Sequence, residues 1–178
     1  MKHLKILGSL LIAYALNSCS LTSDASPDTL PPETQNGAET FGCLVNGKVF
    51  VPKGNSQHSA IVKIYDGRLV IAATRVGNYS NGIKDQMAIK TTLITGIGTY
   101  PCEEEGTLFY TGETCTYGVG EKPINAKINV TKFERGEDKI NNLKWLTISG
   151  TFEGIILPGK KCSDTIKITQ GRFDVKFN

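Results

Sequence analysis

The chain is poor in the residues that most catalytic and metal chemistry needs. It holds two histidines, two methionines and one tryptophan in 178 residues, and His3 falls in the N-terminal leader, leaving His58 alone in the body. No C-x-x-C or Cys-His spacing of the kind zinc uses occurs, so no metal or other cofactor is expected. A serine nucleophile would want a G-x-S-x-G elbow, and none is present. Neither sign of charge dominates: 20 basic side chains stand against 17 acidic ones, a formal +3. A nucleic-acid partner is not expected from that balance, which lacks a basic stripe. No apolar run approaches the roughly 20 residues of a membrane-spanning helix.

What the chain does have begins at its N-terminus. Met1 to Lys5 is short and basic, and Ile6 to Leu16 is apolar except for Ser9 and Tyr14. A basic start, a short apolar run and a small-residue exit read as a secretory signal peptide over residues 1–18. The exit Leu16-Asn17-Ser18-Cys19 resembles the lipobox of bacterial lipoproteins, in which cleavage precedes a cysteine whose thiol carries diacylglycerol. That resemblance makes Cys19 the lipidation site and the membrane a partner through the anchor, since two or more acyl chains hold stably where one does not. The alternative is an ordinary signal peptide that Cys19 merely follows. Removing residues 1–18 takes away Lys2 and Lys5 and no acid, leaving +1.

Residues 19–40 change character. Ser, Thr, Pro, Asp and Glu dominate, with Pro27, Pro31 and Pro32, and bulky apolar residues are scarce. Such a stretch reads as the lipidated cysteine followed by a flexible tether, able to reach about 65 Å at roughly 3.1 Å per residue. Within it, Asp28-Thr29-Leu30 resembles the D-[S/T]-aliphatic signal for O-glycosylation of exported Bacteroidota proteins, with Thr29 as acceptor. Asp164-Thr165-Ile166 matches the same pattern but falls in an expected strand, where a glycan would disturb pairing, so it is not taken as a site.

Residues 41–178 read as one all-β domain, an antiparallel sandwich or small barrel of about nine to ten strands. Hairpins are expected at Phe41–Val45 with Lys48–Val51 across Asn46-Gly47, and at Ile61–Tyr65 with Arg68–Thr74 across Asp66-Gly67. Both dipeptides supply the positive φ angles of a type I′ turn. Further strands are expected at Met87–Ile94, Gly106–Tyr110, Ala126–Phe133, Leu143–Phe152, Thr165–Thr169 and Arg172–Phe177. Ala126, Ile128 and Val130 would face one way, and Phe173, Val175 and Phe177 would alternate with Asp174 and Lys176. Gly150 and Gly171 mark expected bulges or close backbone approach.

The stretch Leu30-Pro31-Pro32-Glu33-Thr34-Gln35-Asn36-Gly37 into Thr40-Phe41-Gly42-Cys43-Leu44-Val45-Asn46-Gly47, together with the ending Ile148-Ser149-Gly150-Thr151-Phe152 to Ile168-Thr169-Gln170-Gly171-Arg172-Phe173-Asp174-Val175, resembles a family of exported Bacteroidota lipoproteins of unknown function. The resemblance covers about a third of the domain and implies an anchored all-β envelope protein; the expected location is the outer membrane, facing the periplasm or the cell surface. The family offers no catalytic motif to carry over to these residues.

Four cysteines remain after Cys19, an even number in a chain read as exported, and two disulfides are the default. Three connectivities are possible; the preferred one pairs Cys102 with Cys115 and Cys43 with Cys162. His58 lies in the polar run Gly54–Ser59 with no partner motif, so it reads as a solvated loop residue. Glu103-Glu104-Glu105 reads as a charged loop that discourages edge pairing rather than a calcium site. Tyr65, Tyr79, Tyr100, Tyr110 and Tyr117 suit sheet positions as well as sugar stacking. The expected function is therefore a non-enzymatic, lipid-anchored binding or accessory module of the envelope. Its ligand or protein partner would meet loops such as 77–82 and 118–122. A glycan-directed envelope hydrolase and a purely structural envelope component are the alternatives.

Overall fold

The computed structural model describes residues 29–52, 60–65, 67–76, 83–102, 104, 107–112, 114–137, 144–159 and 162–177. These form eleven strands: β1 Thr40–Val45, β2 Lys48–Phe50, β3 Ala60–Tyr65, β4 Arg68–Val76, β5 Ile83–Leu93, β6 Gly98–Pro101, β7 Leu108–Thr111, β8 Thr116–Tyr117, β9 Ile124–Glu137, β10 Lys144–Ile156 and β11 Ile166–Phe177. They assemble into two antiparallel sheets, one of six strands in the order β2-β1-β11-β10-β9-β6 and one of five in the order β3-β4-β5-β7-β8. The sheets do not close on one another, so the architecture is a sandwich and not a barrel.

Local chemistry explains the frame. Asn46 and Gly47 take φ values of 48° and 78°, as a type I′ turn demands, and set the register Val45 opposite Lys48. Asn46 also accepts from the Lys167 amide at 2.7 Å, fastening this turn to β11. Alternation then fills the core. Phe41, Cys43, Ile128, Val130, Ile148, Phe152, Phe173 and Val175 from the six-stranded sheet meet Leu69, Ile71, Met87, Ile89 and Leu108 from the other. Phe41 and Phe152 stack with centroids 5.3 Å apart.

The two C-terminal runs expected as separate strands are one strand, β11. A bulge absorbs the break: Phe152 pairs with Gly171 but Gly154 pairs with Ile168, and Gln170 between them has φ 51°. A side chain at Gly171 would collide with the Phe152 carbonyl and ring, which is the close approach expected there. The register of β9 against β10 shifts at Gly150 likewise. β6 and β8, four and two residues long, were not legible by alternation.

The sheets are stitched at one end. Tyr117 of β8 bridges to Pro158 beyond β10, Gly118 N–H donates to the Leu157 carbonyl at 3.1 Å, and a disulfide joins Cys115 to Cys162. This corrects the expected pairing. Cys102 and Cys43 are free thiols, both fully buried in the core. Cys43 lies on the inward face of β1 against the Met87 sulfur at 3.8 Å, and Cys102 follows β6, so neither is where it could meet its expected partner.

A second difference concerns the expected tether. From Leu30 to Glu39 the chain is not free of the domain but lies across the outer face of the six-stranded sheet, over β1, β11 and β10. We call this segment the strap.

Candidate functional site

One carboxylate gathers most of the strap's hydrogen bonds. Asp174 of β11 points away from the core, on the face opposite Phe173 and Val175, yet is only 1% exposed because the strap covers it. Its Oδ2 accepts from Thr34 Oγ1 at 2.7 Å, Asn36 N at 3.0 Å and Ala38 N at 3.1 Å; its Oδ1 accepts from Gly37 N at 2.9 Å and Ser149 Oγ at 2.6 Å. Three consecutive amides converging on an anion form a nest, and Gly37 makes it possible. Its φ is 76°, and a Cβ there would sit 2.7 Å from the Lys176 Cβ. Burial by itself would raise the Asp174 pKa, but the bonds from Ser149, Thr34, Ala38 and Gly37 together outweigh it and bring the carboxyl down to about 2. Glu39 extends the attachment by accepting from the Lys176 amide at 2.8 Å. At the other end Arg172 Nη1 donates to the Pro31 carbonyl at 3.1 Å, and Pro31 rests on Gly42, where a Cβ would come within 2.8 Å of its ring.

Covering half of a flat sheet leaves a step, and the step is a groove. A cavity of about 220 Å³ lies between the strap residues Pro32 to Gln35 and the sheet residues Thr131, Thr151 and Arg172. It runs into a second of about 530 Å³ over β10, β9 and β6, and both are lined by Glu33, Thr151 and Arg172. The wider part presents Thr99, Lys127, Asn129, Glu153 and Gln170. These are the outward positions of adjacent strands in register: Thr99 opposite Asn129, Asn129 opposite Thr151, Lys127 opposite Glu153, and Thr151 opposite Arg172. The charges are paired, Lys127 to Glu153 at 3.0 Å and Arg172 to Glu33 at 3.8 Å. The surface so made is hydroxyl- and amide-rich, nearly neutral, and studded with donors and acceptors spaced by the strand repeat.

A second polar cluster is internal. Arg75 of β4 and Asp85 of β5 pair across the strands at the rim of the core, Nε to Oδ1 at 2.6 Å with Nη2 on Oδ2, and the Tyr110 hydroxyl donates to Asp85 at 2.8 Å. Arg75 reaches the other sheet through the Val49 carbonyl at 3.2 Å and the Phe50 ring, whose centroid is 4.9 Å away. Every partner is satisfied, so the cluster clamps the sheets together and offers no open valence. Its hydrogen bond to Asp85 holds the Arg75 pKa up, and burial does the same for the Tyr110 phenol. Burial also lifts the Cys43 thiol, with Arg75 pulling weakly the other way, and pushes Cys102 up to about 12. Thiols so placed are inert.

The residues singled out from the sequence do not gather at the groove. Cys19, His58, Glu103, Glu105, Tyr79 and residues 77–82 lie outside the described residues. Thr29 is exposed just ahead of the strap. Thr165, set aside as a strand residue, is also exposed and precedes β11 by one position. Glu104 is exposed beyond the edge strand β6 and meets Arg68 at 3.5 Å. In the loop 118–122, Gly118 is buried while Val119 is 66% exposed. Tyr110 and Tyr117 pack on one another beside the core, with centroids 6.2 Å apart, and Tyr100, half-buried against the core, donates its hydroxyl to the Gly96 carbonyl at 2.9 Å. No group of three or more His, Cys, Asp or Glu side chains able to hold a metal gathers among the described residues.

Asp174 and Arg172 were the residues missed. Alternation with Phe173 and Val175 places Asp174 outward, which is correct, but says nothing of the strap that covers it. Asn36-Gly37 within an expected tether was the available sign that the segment turns and docks. Comparison with models of protein families, with curated proteins and with solved structures found no match for this chain.

Proposed function

We propose that this chain is a lipid-anchored protein of the outer membrane, held through Cys19, that acts without catalysis as a binding module, and that its ligand lies in the groove beside the strap. The observation that carries the reading is the groove itself, a concave, polar, charge-balanced surface built from paired outward positions on rigid strands. Rigid elements fix such donors and acceptors better than loops do. A ligand rich in hydroxyls and amides, a glycan strand or an extended polypeptide of the envelope, matches that pattern. Thr29, exposed ahead of the strap, is the proposed O-glycosylation acceptor.

The test is binding of the protein to isolated envelope polysaccharide and peptidoglycan fragments, with Thr151→Trp as the groove-filling variant. Thr151 is outward and partly exposed, so the domain is expected to fold while binding falls at least about tenfold, or about 1.4 kcal/mol. Undiminished binding by that variant overturns the groove. Membrane fractionation of Cys19→Ser tests the anchor separately, with retention on membranes as the refuting result.

One observation favours the hydrolase alternative: Glu33 and Glu153 line the same cavity. A general acid needs a desolvated carboxyl, whereas these side chains are 63% and 52% exposed and each faces its own cation. Loss of a polysaccharide-cleaving activity in Glu153→Gln would reverse the order of the two readings.

A further inference from the structure

We infer that the strap is a latch that fixes where the membrane anchor leaves the domain: docked on Asp174, it halves the free tether and holds the groove face beside the bilayer. This rests on the reading of Cys19 as the anchored residue. The chain enters the outer face at Leu30 and Pro31, over Gly42 and next to Arg172. That point is the rim of the groove, because Arg172 and Glu33 line both of its parts. A tether free up to Thr40 would let the domain stand about 65 Å away and turn in any direction; with the strap docked, residues 20–29 reach only about 31 Å.

The geometry also says how the latch is built to release. All five donors on Asp174 converge on one side chain, and four of them belong to the strap. Removing that acceptor takes four hydrogen bonds from the middle of the strap at once and leaves it only the contacts of Pro31 and Glu33 with Arg172 and of Glu39 with the Lys176 amide, while the core residues beneath, Phe173 and Val175, keep their own contacts. The two states differ in reach and orientation and not in the fold of the sandwich. A ligand in the groove touches both strap residues and sheet residues, so it binds the docked state better and favours the short tether by linkage.

Two variants test the latch from opposite ends. Asp174→Ala removes the acceptor, and Gly42→Ala pushes on Pro31 without touching Asp174, at a position whose backbone needs no positive φ. In the chain beginning at Cys19, cleavage by a glutamate-specific protease is expected at least about tenfold faster than in the parent after Glu33 in each variant, and after Glu39 in Asp174→Ala. Far-UV circular dichroism should stay unchanged, and formate should restore protection to Asp174→Ala by occupying the nest. For reach, Cys19 is coupled to a maleimide lipid in vesicles carrying a dansyl lipid, and energy transfer from Trp145, the chain's only tryptophan, is read with and without acceptor. Transfer is expected to fall at least about twofold in Asp174→Ala, where the permitted reach doubles, and by less in Gly42→Ala, where the chain is freed only up to the nest on Asp174 that begins at Thr34. Equal cleavage in parent and variants overturns the latch, as does unchanged transfer. If Asp174→Ala loses its fold, Gly42→Ala alone decides. Because the lipid is attached chemically, failure of Cys19 to be acylated in the cell would show only in fractionation and would leave these results standing.

Discussion

Replacing Asp174 with asparagine keeps the size of the side chain and removes its charge, which isolates what the carboxylate contributes. In the native protein it accepts five hydrogen bonds, and an amide of the same shape can accept at one oxygen only. Its NH₂ would face donors. The carboxyl stands at about 2 against the ordinary aspartate value of 3.8, a preference for the charged form worth about 2 kcal/mol at neutral pH. The loss in Asp174→Asn should therefore be about 2 to 4 kcal/mol at pH 7, the upper figure including Ser149, which is fully buried and would be left short of its acceptor. The sign with pH follows from a depressed carboxylate. The stabilisation is complete above the unfolded-state value near 4 and disappears as pH falls through the folded value near 2, so parent and variant should differ by a constant amount from pH 7 to pH 5 and converge between pH 4 and pH 2. Urea unfolding at a series of pH values, followed by Trp145 fluorescence and by circular dichroism, reads the difference directly. A gap under about 0.5 kcal/mol at pH 7, or one that persists unchanged at pH 2, would refute the account of Asp174.

Three other outcomes follow from the cysteines and the bulge. In Cys19→Ser, Ellman's reagent should find no reactive thiol in the folded protein and two after denaturation without reductant, Cys43 and Cys102; finding none would restore the two-bridge scheme. Cys115→Ser opens a link between residues 47 apart, worth up to about 4 kcal/mol in the chain-entropy model, and should lower the urea midpoint without changing the far-UV spectrum; an unchanged midpoint would show that the bridge adds nothing. Gly171→Ala drives a Cβ into Phe152 and should cost about 1 to 3 kcal/mol, a value that thermal unfolding against the parent would contradict if the two melted together.

Fold was legible wherever a residue's two neighbours told the same story as its own chemistry. Asn46-Gly47 forced a turn, Ala126, Ile128 and Val130 went into the core, and Gly150 and Gly171 marked real shifts of register. What failed was anything decided by a distant segment. Cysteine spacing has no term for which sheet a thiol faces, so Cys115 and Cys162 could not be matched from sequence, although they lie on segments brought together by the Tyr117–Pro158 bridge. Asp174 reads as an outward strand position because alternation assigns a face and does not say what covers it. Composition assigned the strap to the tether because its apolar residues are few, but a segment can be ordered by hydrogen bonds to one buried charge instead of by apolar burial.

That last point bears on where function sits in this molecule. Burying a carboxylate is costly unless it is fully bonded, and five donors are a large outlay for a segment that adds no strand to either sheet. The return is positional: Thr34, Asn36, Gly37 and Ala38 can satisfy Asp174 in one register only, and that register puts Pro32 to Gln35 along one wall of the groove. The opposite wall is made by outward residues of β6, β9, β10 and β11, drawn from positions 99 to 172. No contiguous motif could therefore announce the site. The inward residues of those strands are constrained by the core, while the outward ones are free of it, so the groove surface can be altered one side chain at a time without disturbing the sandwich beneath.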